Sequence, residues 1–155
     1  MIHTILYVLF IIPFTVWLGY ELKVKYSLSR HKIWIILAVI TGITGAFTFK
    51  IKPDMVGNFL LHASGGVASA FLFVYLLKTL KLRFSWRMDL VLLFAFVSML
   101  GVLNELAEYL FEFLGFGPFS FDKHDTWRDL AANTTGALVC WTVIKAASYI
   151  RSKKA

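Results

Sequence analysis

Residues 59–77 read FLLHASGGVASAFLFVYLL, from Phe59 to Leu77, and the reading of this run decides the fold. A helix needs about 20 mostly apolar residues to cross the hydrocarbon core of a bilayer. The run is close to that length, and it carries no Asp, Glu, Lys or Arg; His62 is its most polar member. Outward from it, four further stretches have the same character. Residues 2–20 are apolar with Pro13 inside, a tolerated kink. Their start, Met1-Ile2-His3-Thr4, lacks the basic region of a signal peptide and no small-x-small cleavage site follows, so a retained span is expected. Residues 33–49 hold Gly42 and Gly45, which allow close helix contact. Residues 89–114 are long enough to tilt, and residues 129–150 close the series.

Composition points the same way. The chain is 59% hydrophobic and 16% charged, against about 25% charged in a soluble domain. Its mean hydropathy is +0.72. The expected fold is all-α, an integral membrane helical bundle of about five transmembrane helices in one domain over residues 1–155. The net charge of +7 does not indicate nucleic acid, because the basic residues lie between apolar segments, as the positive-inside rule requires. With five crossings, one side collects twelve Lys and Arg, from Lys23 to Lys32, Lys78 to Arg87 and Lys145 to Lys154. The other side holds four: Lys50, Lys52, Lys123 and Arg128. That asymmetry places the N-terminus outside and the C-terminus in the cytoplasm. The single cysteine, Cys140, excludes an intramolecular disulfide.

The acidic residues are concentrated. Of nine in the chain, Glu105, Glu108, Glu112, Asp122, Asp125 and Asp129 fall between Asn104 and Asn133. At about 100° per residue, Asn58, His62, Gly65, Gly66 and Ser69 share a helix face; so do Gly101, Glu105, Glu108 and Glu112; so do Asp125, Asp129, Asn133, Gly136 and Cys140. On five spans these stripes lie at similar depth, which predicts an outward-opening polar pocket between three helices. Carboxylates deep in a span cost several kcal/mol and mark function by default. Glu105 and Glu108, three residues apart, must share a proton or be neutralised by a cation. His62 and Asp129 complete a candidate ligand set for a divalent metal, and a general acid/base pair is equally compatible.

Ordinary readings stand beside these. Glu105 and Glu108 can hydrogen-bond an irregular helix or pair with Arg128; Asp122 and Asp125 can cap a helix; Asn133 can join helices; Glu112 and His124 can be solvated. No base lies at helical spacing from Ser64, Ser69, Ser98 or Cys140, so nucleophilic catalysis has little support. The aromatic turn from Leu114 to Phe121, with Trp127, suits the membrane interface, where Lys123 and Arg128 can hold an anionic head group.

Leu61-His62, then Asn104-Glu105 with Glu108, then Asp129-Leu130-Ala131-Ala132-Asn133-Thr134-Thr135-Gly136-Ala137 resemble the VanZ-like membrane proteins over roughly residues 58–143. In that group a His, a Glu and a final Asp-x-x-x-Asn-Thr-x-Gly-Ala segment recur in this order. The resemblance makes His62, Glu105, Asp129 and Asn133 the family-type polar positions. Glu108 and Asp122-Lys123-His124-Asp125 depart from the pattern. The resemblance implies a cell-envelope role in a prokaryotic plasma membrane and a link to antibiotic resistance.

The expected function is a membrane-embedded enzyme, a metal-dependent or acid/base hydrolase or transferase, acting through the outward-facing pocket on a lipid-linked or glycolipid envelope substrate. Glu105, Glu108, Asp129 and His62 would bind the metal or do acid/base work, and Asn133 would orient them. Arg128, Lys123, Asp125 and Trp127 would meet the substrate. The competing readings are a proton- or cation-coupled transporter or flippase, which apolar inner halves such as Leu72–Leu77 disfavour, and a non-catalytic interaction module.

Overall fold

A computed structural model describes residues 30–49, 55–116 and 124–153. These residues form an all-α bundle of four helices: α1 (Arg30–Phe49), α2 (Met55–Thr79), α3 (Trp86–Phe113) and α4 (Asp125–Ser152). The expected span over residues 2–20 lies outside the described residues.

The expectation of about five transmembrane helices is corrected. Among the described residues, α2 and α3 are the two helices long and apolar enough to cross a membrane. At 1.5 Å per residue they extend about 37 Å and about 42 Å, beyond the roughly 30 Å of a hydrocarbon core. Within α1, Lys32–Ala46 is an apolar stretch of about 22 Å of helix. Between Asp129 and Lys145, helix α4 holds no charge but several neutral polar residues, among them Asn133, Thr134, Thr135 and Thr142. Counting charges alone hid that polarity. The orientation with the N-terminus outside and the C-terminus cytoplasmic rests on five crossings and falls with them.

Local chemistry sets the helix ends. Ser85 caps α3, its hydroxyl oxygen accepting from the Met88 N–H at 3.3 Å. Both α2 and α3 end in the same motif. The Lys81 N–H donates to the Lys78 carbonyl and the Leu82 N–H reaches back to Leu77, with Lys81 in the left-handed region at φ 56°. At the end of α3, Gly115 (φ 82°) donates to Glu112 and Phe116 donates to Phe111. The Phe111 and Phe116 rings meet edge to face at 6.0 Å, the apolar contact that accompanies this cap.

Helix α2 is central, packed between α1 and α4, while α3 lies against α4 and more lightly against α2. The α2–α4 crossing brings backbone onto backbone. A Cβ at Gly66 would lie 1.9 Å from the Asn133 carbonyl oxygen, and one at Gly136 1.9 Å from that of Ala63. Beneath it, Ala70, Phe73, Leu93, Val97, Ala137 and Cys140 form the apolar core. The outer face of α3 exposes Val91, Phe94, Val102, Leu106 and Leu110, an apolar surface suited to lipid. Lys145 on α4 donates to Asp89, buried in the first turn of α3, at 2.5 Å. Sequence reading sends Lys145 to the interface alone; the structure gives it this partner and the Trp141 ring at 5.4 Å.

Candidate metal centre

The α2–α4 crossing sets two residues of α2 opposite two of α4, each pair one helical turn apart. Asn58 donates from Nδ2 to Asp129 Oδ1 at 2.8 Å and lies 3.3 Å from Asp125 Oδ1. His62 Nε2 faces Asp129 Oδ2 at 3.2 Å. Asp129 is among the most deeply buried side chains, at 2% exposure. Helix α3 contributes Glu105, whose Oε1 is buried and has no hydrogen-bond partner among the described residues. One donor atom from each of His62, Glu105 and Asp129 falls within a 4.8 Å group.

This arrangement suits a cation. Ligands held about 2.0–2.2 Å from one ion stand roughly 3.0–4.3 Å apart. The His62–Asp129 separation of 3.2 Å lies inside that range. Drawing Glu105 in from the 4.8 Å limit takes an adjustment of about an ångström or less. A buried carboxylate oxygen without a donor is costly, and an ion would relieve it. One imidazole with two carboxylates suits zinc, manganese or ferrous iron better than a soft thiophilic metal. The donor from Asn58 fixes which Asp129 oxygen faces the group and which is already engaged.

The other expected site residues divide. Glu108 stands outside the three-residue group; its Oε1 accepts from Asn104 Nδ2 at 2.7 Å. It lines a cavity of about 280 Å³ together with His62, Asn104 and Asn133. Asn133 is wedged between α2 and α3, since a Cβ at Gly65 would lie 3.2 Å from its Oδ1 and one at Gly101 3.6 Å from its Nδ2. Asp125, the first residue of α4, is buried, sits where a helix favours negative charge and pairs with Arg128 at 3.4 Å. Trp127 is 71% exposed, and Lys123 lies outside the described residues. Sequence reasoning set Asn58 on the same helix face as His62 but gave it no positioning role.

Residues 1–149 match the model of a family described as "Predicted membrane protein (DUF2238)". No curated protein and no solved structure matches the chain. The chain belongs to the DUF2238 family, and this corrects the VanZ-like resemblance together with its antibiotic-resistance link. The misleading segment, Asp129 to Ala137, has a physical explanation. A close crossing of two helices around a buried carboxylate calls for an amide a turn later and small residues at the contact, here Asn133, Gly136 and Ala137. The molecule is a multi-pass helical membrane protein with a buried His–Glu–Asp cluster able to coordinate a metal.

Proposed function

We propose that this DUF2238 protein is a membrane-embedded, metal-dependent enzyme, a hydrolase or transferase, whose substrate is a lipid-linked or glycolipid molecule. The observation that carries the reading is the convergence of His62, Glu105 and Asp129 from three helices, with a Glu105 oxygen left without a donor among the described residues. A metal bound there would act as a Lewis acid toward a substrate oxygen. His62 Nε2, Asp129 Oδ2 and Glu105 Oε1 would hold it, and Asn58 would keep Asp129 turned toward it. The cavity supports a substrate role because His62 belongs both to its wall and to the cluster. Glu108, steadied by Asn104, faces the same space and is placed to meet a polar group beside the centre. Leu61, Val97 and Leu100 supply an apolar wall for an attached chain.

Trace-metal analysis of the purified protein tests the reading. The expected result is about one equivalent of a divalent transition metal in wild type, lost in Glu105→Gln and in Asp129→Asn. A folded wild-type protein that takes up none when titrated with zinc, manganese and ferrous iron would overturn it.

A further inference from the structure

We propose that the cavity beside His62 seats a protonated amine carried on an aliphatic chain, with Glu108 as its counter-charge. This deepens the function proposed above by naming the substrate class, and it rests on that reading only for the statement that the bound molecule is a substrate.

The argument starts from the charge balance of the wall. Among the described residues that line the cavity none is Lys or Arg, and Glu108 is one of them. The nearby Arg128 already pairs with Asp125, which cancels that pair. Three carboxylates therefore dominate the field: Glu105, Glu108 and Asp129. A divalent ion at the cluster leaves one negative charge, and a proton shared between Glu105 and Asp129 in its absence leaves two. Either way the space repels phosphate and carboxylate and attracts a cation.

Hydrogen bonding agrees. Ser64 donates its hydroxyl to the Leu61 carbonyl at 2.7 Å, and Ser69 donates to Gly65 at 2.8 Å. Both hydroxyls thus have spent their proton and keep lone pairs with which to accept. Asn104 donates one amide hydrogen to Glu108, leaving its own oxygen as an acceptor. A carboxylate with these acceptors beside it favours a ligand that brings donors, and an ammonium brings three N–H groups and no acceptor. The volume of about 280 Å³ suits such a head group with the first few carbons of a chain. Leu61, Val97 and Leu100 line the same space and give those carbons apolar contact.

The test uses the full chain in phosphatidylcholine nanodiscs at neutral pH, with calorimetric titration of hexylammonium, hexyl phosphate and hexyl glucoside and subtraction of empty discs. The expected result is hexylammonium binding at least about ten-fold tighter than either other probe, with or without EDTA. Glu108→Gln should weaken it about ten-fold, and Ser69→Leu, which fills the cavity without changing charge, should abolish it. Equal or tighter binding of hexyl phosphate or the glucoside, unchanged binding in a folded Glu108→Gln, or retained binding in Ser69→Leu would each overturn the proposal. So would hexylammonium binding that appears only with metal present. Metal uptake without amine preference defeats this proposal alone, and amine binding without metal uptake defeats the metal reading alone.

Discussion

Asp129 holds two relations at once: Oδ1 accepts from Asn58, while Oδ2 faces His62. Removing the amide in Asn58→Ala should lower metal affinity about 10–100-fold, because an unheld carboxylate must be oriented at the moment of binding. Competition titration against a metal indicator measures this, and wild-type affinity in the variant would remove the positioning role. Glu105 shows the opposite balance. Its Oε1 lacks a donor, so Glu105→Leu should raise stability in EDTA by about 1 kcal/mol while abolishing metal uptake. Thermal unfolding with and without EDTA checks both halves, and a lowered midpoint in EDTA would contradict the first. His62, Glu105 and Asp129 were legible in the sequence because a charge or imidazole in an apolar run has few inexpensive explanations. Asn58 was not, since an amide near the start of a helix looks like any cap or turn residue. Sequence spacing does not specify that Arg128 pairs with Asp125 of its own helix or that Trp127 stands exposed.

Among the elements, the α2–α4 crossing determines whether the cluster exists, because Asn58 and His62 approach Asp125 and Asp129 only when Gly66 and Gly136 let the backbones touch. Gly66→Ala or Gly136→Ala should cost about 1–3 kcal/mol or more in detergent and reduce metal uptake in parallel. Full stability with full uptake would mean that the helices can separate without consequence. The turn between α2 and α3 makes a contrasting case. Lys81 adopts a left-handed conformation that disfavours a side chain, so Lys81→Gly should stabilise by roughly 1 kcal/mol and leave metal binding unchanged. The positions of the helices followed from apolar runs broken by Pro, Gly and charge. Their role as spans did not, because the neutral polar residues of α4 weigh against crossing without announcing themselves as charges.

For the whole molecule, the firmest membrane statement concerns α3, whose ends should lie on opposite sides of the bilayer. In a Cys140→Ala background, single cysteines at Leu82 and Phe116 should label with an impermeant maleimide from opposite faces of sealed vesicles. Labelling of both from one face would remove α3 as a span. Sequence could indicate that the protein lives in a membrane, but the choice of family turned on a short segment whose pattern is imposed by packing. The Asp89–Lys145 pair carries a consequence for biogenesis. The two partners are 56 residues apart in the chain. At about 5–20 residues per second, a ribosome needs roughly 3–11 s to deliver the lysine after the aspartate. During that interval α2 and α3 can already occupy the bilayer, with Asp89 facing the place that α4 will fill. The nascent hairpin is then a half-product that carries its own marker of incompleteness. The arrival of α4 erases that marker at one end, by pairing Lys145 with Asp89, while it brings Asp129 to His62 at the other.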